Sequence, residues 1–563
     1  MPDSRALPNP WGVSGIAGST SIEGNVEVQA FEQIGNVMYV GGNFRDVQRD
    51  SSGTGRVRQS FLAAFNATTG EYLPGFAPTV NEQVRALKAL PGGQLAVGGD
   101  FTTVNGRPVA GLVSLNPSTG ATTPGWGTKM ENNIAPGVVR VRALDVSGQR
   151  LYLGGLFTHL SSADGTGRTY ARNAGRVDVA TGRPDAWNPE FNSGVWGLDA
   201  SDDGSRVYYA GHFGTSRDQA ALRAAAVLTT AGAPLDPTAW NPNWSSSNTN
   251  YQQAIAQAGD RVWAGGSEHS LFGFSTSTYE RVRGNITKRG GDFQAIDTAG
   301  QQLFAGCHCT NFVYQDAYTW SNVGTSWSQA DAIGWFGLWD TASGAYRPHF
   351  TPELSMRLGQ GIRALEVADD GIVWAGGDIT TGRTTAGGRW LGGFARFAPL
   401  DSTPPAAPTN LHVTSTSDTT VDLAWDAAAG SPRGYQILRD DRVVSRTNGG
   451  RTATVDRAGE GRFFVRAVDA RGNVSASTPV LKVEPADDGV DRLSGTDRFG
   501  TAAVIAQSYP AGLDTVYVAN GLNFPDALAG AALDTLNPQR IVVLGGTSAV
   551  NNTVKDQLTR YIR

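Results

Sequence analysis

Residues able to do chemistry are few in this chain and unevenly placed. Its only two cysteines, Cys307 and Cys309, flank His308 in the run AGCHCTNF. A C-x-C pair closes a small ring when oxidised, and oxidising compartments favour that state. The trio also offers metal ligands. However, three adjacent residues do not supply a whole tetrahedral set, and no other cysteine exists. A local disulfide, free buried thiols and a metal therefore stand in that order, and a disulfide-held scaffold is excluded by number. Six histidines occur: His159, His212, His269, His308, His349 and His412. His212, His269 and His308 fall in or just after copies of a repeated phrase. Equivalent repeats would gather them on one face. The plainer reading, three unrelated loop histidines, is preferred.

Aromatic residues carry the better signal for binding. Thirteen of the fourteen Trp precede residue 400, and Trp187 and Trp240 share the tetrapeptide AWNP. Trp320, Trp327, Trp335 and Trp339 crowd together. Exposed indoles stack on the apolar faces of sugars. Trp320, Trp327, Trp335 and His308 are the candidate ligand-binding residues, for a carbohydrate or a protein. Trp196, Trp263 and Trp374 lie in strand-like phrases and are expected in the core. No nucleophile elbow, Walker loop, His-Glu-x-x-His or EF-hand pattern occurs. The chain is therefore expected to bind and not to catalyse. The alternatives are a carbohydrate-active enzyme (a glycoside hydrolase or lyase), whose paired carboxylates sequence spacing does not reveal, and a structural surface-array subunit. No cofactor is expected, with a structural calcium ion left open.

These residues are set on a repeat. An apolar run followed by two small residues recurs seven times: VMYVGGNF, LAVGGDF, LYLGGLF, VYYAGHF, VWAGGSE, LFAGCHC and VWAGGDI. The first small residues are Gly41, Gly98, Gly154, Ala210, Gly265, Gly306 and Gly376, at spacings of 57, 56, 56, 55, 41 and 70. Upstream of most copies lies a second apolar stretch, such as VRALKA from Val84 or IRALEV from Ile362. Downstream lies a third, ending in Thr-Gly or Ser-Gly. Short apolar runs bounded by Gly, Asp and Ser read as strands and tight turns. Three or four strands in each of about seven units predict a β-propeller over residues 1–400. An open solenoid is the runner-up. The repeat resembles the delta-60 type repeat of secreted bacterial β-propellers, which implies a secreted protein.

A Pro-rich linker, PLDSTPPAAPTNL, follows. Residues 401–486 alternate in short strands around Trp425, which predicts a β-sandwich. The P-x-x-P-x-x-L entry, Trp425 and the segment VRAVDARGN resemble a fibronectin type III domain, with Phe463 where the corner Tyr usually stands. Its expected role is that of a spacer.

Residues 490–563 change to alternating strands and helices, a small α/β unit. RLSGTDRFGTA from Arg492, NFPDAL from Asn523 and VLGGTSAV from Val543 resemble the cell-wall-binding repeat 2 family of Gram-positive surface proteins. The resemblance implies a wall-polymer site using Arg492, Asp497, Arg498, Pro525, Asp526, Gly545 and Gly546. It also implies a non-covalent anchor. The family usually carries three tandem copies and a segment between its two central motifs; one shortened copy stands here.

Charge is low at 17%, and the net charge is −5 without a basic stripe, so nucleic acid is not an expected partner. No apolar run reaches the length of a membrane span. The N-terminal MPDSRALPNPW lacks an apolar signal core. A cytoplasmic protein or a removed signal peptide would explain that. The surface-protein resemblances favour the second, with the mature protein at the cell wall or surface.

Overall fold

A computed structural model describes residues 1–497 apart from 22–23, 241, 243–249, 290, 319–322, 401–403, 431, 441, 457–460, 470–471 and 485–488. Beyond Asp497 it describes 504, 507, 541–544 and 552–561. The protein is mainly β, with several units and many small antiparallel sheets. Two compact units are distinguished. The first comprises Met1–Thr409, Asp426–Gly449 and Phe464–Val480, and the second Asn410–Trp425, Gly450–Phe463 and Leu481–Arg563.

In the first unit each repeat builds one three-strand module, with the repeated phrase as its middle strand. The opening strands are Val28–Ile34, Val84–Ala89, Arg140–Ser147, Val195–Ala200, Gln252–Ala258, Phe293–Ala299 and Ile362–Val367. The phrase strands begin at Val37, Leu95, Arg150, Arg206, Arg261, Gln302 and Val373. We number the modules 1 to 7 in chain order. Modules 5 and 6 share one continuous sheet, because Arg281–Arg289 pairs with both Ser270–Ser275 and the far half of Gln302–Gln315. This shared strand accounts for the short interval followed by the long one. Each opening strand neighbours the next, and the seventh returns to the first.

The two small residues of the phrase have separate physical causes. The first makes room for the following module. A Cβ added to Gly41 would meet Val84 Cγ1 at 2.6 Å, and one on Gly98 would meet Val141 Cγ1 at 2.7 Å. Gly154 faces Val195, Gly265 faces Phe293 and Gly306 faces Ile362 in the same way. Gly376 of module 7 faces Val28 of module 1. The second small residue lies across from a β-bulge. Register slips by one residue between Val28 and Ala30, and likewise in the other six opening strands. A Cβ on Gly42 or Gly377 would strike the backbone there. Cys307 holds that place in module 6, opposite Phe293.

The Thr-Gly endings are side-chain-capped turns. Asn66 Oδ1 accepts N–H bonds from Thr68 and Thr69 at 3.1 and 2.7 Å, and Asn116 repeats this with Ser118 and Thr119. Gly70 and Gly120 close these turns at φ of 74° and 76°, where a side chain would be strained.

Two further sheets follow in the chain. One contains Thr409–Thr416, Thr420–Asp426 and Thr452–Asp456; the other contains Gly434–Arg439, Arg442–Thr447, Gly461–Val468 and Leu481–Val483. In the second unit Val490–Leu493 pairs in parallel with Ile541–Leu544, and the described helix is Asn552–Leu558. No described helix is long and apolar enough to cross a membrane.

Candidate functional site

A bulge adds one residue to a strand and re-aims its side chain. The seven bulged residues are Gln29, Arg85, Arg142, Trp196, Gln253, Gln294 and Arg363, one from each module, and together they line one cavity of about 70 Å³. The cavity, called the mouth below, takes one side chain from each of the seven opening strands. Arg142 lies over the Trp196 ring, 4.1 Å from its centroid, a cation–π geometry. Trp196 stacks on Tyr251 at 5.6 Å, and Tyr251 stacks on His212 at 4.5 Å. Arg85 donates to Asp100 twice, at 2.8 and 3.0 Å, and to Gln29 Oε1 at 3.2 Å.

Asp292 gathers the other side of the mouth. Its Oδ2 accepts from Tyr251 Oη and Gln253 Nε2, both at 2.7 Å. His308 Nε2 stands 3.8 Å from its Oδ1. Burial works to raise the Asp292 carboxyl, but the nearby His308 and His269 and the bond from Tyr251 outweigh it, so the group is held below the usual carboxylate range. Burial lowers His269, against the pull of Asp292. Next to it Glu268 is buried, bonded to Gln252 Nε2 at 2.6 Å, and desolvation pushes its carboxyl upward. His212 reaches this group through Tyr251, and His308 lies beside Asp292. His212 and His308 stand two residues after the first small residue of their phrases, and His269 stands four after its own.

A second set of side chains lies three residues further along the opening strands. Glu32, Lys88, Asp145, Asp199, Asp297 and Glu366 occupy six of the seven positions. Lys88 Nζ pairs with Asp145 Oδ1 at 2.8 Å. Asp145 accepts the Ala200 N–H, Asp199 that of Gln257 and Asp297 that of Val367, each at 2.7 Å. These carboxylates take backbone donors that an open strand edge would leave unpaired. Their role is to join modules. Desolvation raises the carboxyls of Glu32, Asp199 and Glu366, and that of Asp297 to about 6.

The residues singled out from sequence go to different places. Cys307 and Cys309 are bonded to one another and buried, and they bracket His308. Trp335 lies across from them in the neighbouring strand at φ 69°, and its Nε1 donates to Leu354 O at 3.0 Å. With Trp390 it lines an open groove away from the mouth residues. Trp327 is buried, with its ring against Phe464 at 5.6 Å and Tyr314 at 5.3 Å. It is a packing residue, because its ring lies against Phe464 while its neighbours Thr325 and Ser326 stay exposed. Trp320 lies outside the described residues, as do Arg498, Pro525, Asp526, Gly545 and Gly546; Arg492 is in a strand, and Asp497 follows it in a bend. Trp263 and Trp374 are fully buried as expected. Trp196 is not, because the bulge turns it to the mouth. The mouth did leave a signal in the sequence: it is the second residue of VQAF, VRAL, VRAL, VWGL, QQAI, FQAI and IRAL, the polar or aromatic position of a word that is otherwise apolar in all but QQAI. Among the described residues no group of three or more His, Cys, Asp or Glu could hold a metal ion.

Comparison with known proteins bears first on the C-terminal residues. Residues 492–556 match the cell wall binding domain 2 family. That match supports a cell-wall-associated protein. Chitinase A1 of Niallia circulans is 24% identical over 340 residues, 58% of this chain and 41% of the relative. Chitinase Chi52 of Paenibacillus xylanexedens is 35% identical over 91 residues, 15% of this chain and 17% of its own. N-acetylmuramoyl-L-alanine amidase LytC of Bacillus subtilis is 31% identical over 128 residues, 22% and 24% of the two chains. The chain spans less than half the length of each. The expectation of a protein without enzymatic activity does not stand, since all three relatives carry enzyme names. Among solved structures, the computationally designed Ika8 protein covers 84% of this chain and 99% of its own at 13% identity, with a TM-score of 0.35, too slight a likeness to argue from.

Proposed function

We propose that this protein is held at the cell wall by residues 490–563 and presents a carbohydrate-binding mouth on a seven-bladed β-propeller formed by residues 1–400, with residues 401–486 as a fibronectin type III spacer. One observation carries the reading of the mouth: all seven bulged residues converge on one cavity, with Trp196 flattened under Arg142. The Trp196 indole, packed against Arg142 and Tyr251, supplies an apolar edge, and guanidinium and amide groups supply directed hydrogen bonds to sugar hydroxyls. The closed cycle of opening strands, sealed by Gly376 against Val28, supports the propeller. Titration calorimetry with chitin and peptidoglycan oligosaccharides tests the mouth. Trp196→Ala should weaken binding about tenfold or more without moving the melting midpoint by more than about two degrees. Failure of every glycan to bind the unaltered protein would remove the reading. Pulldown on purified walls, with and without the residues after Pro485, tests the anchor; equal retention would exclude it.

A second reading is favoured by Glu268 and Asp292. Their surroundings push the two carboxyls apart, Glu268 upward and Asp292 downward, and such pairs divide into acid and base roles. Under this reading the mouth cleaves the glycan it holds. Release of reducing ends by the protein, abolished in Glu268→Gln with binding kept, would establish it; binding without release would dismiss it.

A further inference from the structure

We propose that the groove lined by Trp335 and Trp390 is a glycan site of its own, which holds a linear, uncharged oligosaccharide against the two indoles. It stands or falls independently of the mouth. The groove measures about 1030 Å³ and shares no lining residue with the mouth. Most of its lining comes from three strands of module 7: Leu354–Met356, the far half of Val373–Thr384, and Gly387–Phe397. Ser355 pairs with Thr381 and Thr381 with Trp390, so these three make one row across the sheet. That row crosses two strand spacings of about 4.8 Å each. Trp335 is tied to the Leu354–Met356 side by its Nε1 bond to Leu354 O at 3.0 Å. The two indoles therefore stand on opposite sides of the groove.

Local backbone sets both rings. Trp335 has φ 69°, a left-handed conformation that bulky residues rarely adopt and that gathers at ligand sites. The pairing passes from Gly306 with Phe336 to Thr310 with Gly334, so residues 307–309 face this one residue and turn it out of the strand's alternation. Trp390 precedes another slip in register. Gly392, at φ 65°, leaves the space its ring takes: a Cβ there would meet Trp390 Cζ2 at 2.6 Å. No described ring stacks on Trp390, and its Nε1 donates to no described residue. Ser355 and Thr381 are exposed, and their hydroxyls hold no described partner. An unstacked indole beside free hydroxyls suits the C–H face and the hydroxyl edge of a sugar. Charge is nearly spent here, since Glu353 and Arg383 pair at 2.9 Å and leave Arg389. A neutral chain therefore fits better than a polyanion. Aromatic grooves also hold Pro-rich peptides; association with a cell wall, which is built of glycan strands, favours the sugar.

Amide hydrogen exchange of the full-length protein, with and without Trp196→Ala, would be measured with chitohexaose, cellohexaose, soluble peptidoglycan strands and decaproline. At least one glycan should slow exchange at Leu354–Met356 and at residues 387–390 in both proteins. By calorimetry in the Trp196→Ala protein, the hexamer of that sugar should bind about tenfold tighter than its dimer, which is too short to reach both indoles. Trp390→Ala should remove this length preference. Thr381→Val, which keeps a branched strand residue and deletes one hydroxyl, should weaken the hexamer several-fold and serves if Trp390→Ala fails to fold. Protection confined to the seven opening strands overturns the groove and spares the mouth. Protection by decaproline alone assigns the groove to Pro-rich segments and overturns the glycan. No protection of the groove by any probe overturns the proposal outright.

Discussion

His308 Nε2 stands 3.8 Å from Asp292 Oδ1, and the bond between Cys307 and Cys309 brackets that histidine. Cys307 replaces the glycine that the other six modules keep across from the bulge, so module 6 fixes its loop covalently where the others leave it to backbone packing. Reduction, or Cys309→Ser, should free the His308 ring. The expected results are a changed His308 imidazole resonance and a several-fold loss of glycan affinity, with the far modules unaltered. An unchanged resonance after verified reduction would show that backbone packing alone holds the ring.

Asp292 is the acceptor on which Tyr251 and Gln253 depend. Asp292→Ala takes this acceptor from the buried Gln253 and the half-buried Tyr251, at a cost of about 2–4 kcal/mol. Asp292→Asn should cost less. The folded-state carboxyl is depressed, so its contribution is present above the unfolded value near 4 and is lost as pH falls through the lower folded value. Urea unfolding at pH 7 and pH 3 should therefore show the Asp292→Asn penalty at the first pH and a reduced one at the second.

Asp331 and Arg466 form a buried ion pair at 3.2 Å, with side chains 4% and 6% exposed. Burial raises the Asp331 carboxyl against the pull of Arg466. Asp331→Ala strands a guanidinium and should cost roughly 3–5 kcal/mol, whereas replacing both partners with Leu and Met should come close to neutral. Denaturant melts of the single and double variants check this. A single variant as stable as the double would mean the charge finds water.

The interior contains two groups of opposite pH dependence. Asp297 rises to about 6 through desolvation, so the folded state holds its proton longer than the unfolded chain does, and its contribution fades as pH climbs from about 4 to 6. His349 falls to about 4, also through burial, so its contribution is lost as pH falls from about 6.5 towards 4. Asp297→Asn should thus gain stability relative to the parent as pH rises across this window. His349→Gln should gain relative to the parent as pH falls. Melting midpoints at half-unit steps would show the two trends, and parallel curves would refute both assignments.

Closure of the ring gives the last prediction. A Cβ on Gly376 would press on Val28 and on Phe31, whose Cζ would lie at 2.7 Å. Gly376→Val should destabilise by about 1–3 kcal/mol through overpacking. Gly35→Ala, at an exposed turn with open space around it, should cost only the strain of its φ of 58°.

The sequence by itself determined the period, the number of modules, their strand-turn grammar and the C-terminal wall-binding words. These are local patterns: alternation along a strand, Gly where backbones meet, Asn or Asp before a Thr-Gly turn. The tertiary structure decided what converges. A bulge inverts the side-chain alternation at one residue, so Trp196, expected in the core, faces the mouth, while Trp327, expected on a surface, is covered by a strand more than a hundred residues later. Arg142 and Arg363 are far apart in the chain and face one cavity only because Gly376 closes on Val28. Period-two reading follows a strand but not the ring it joins, and the mouth exists only in the ring.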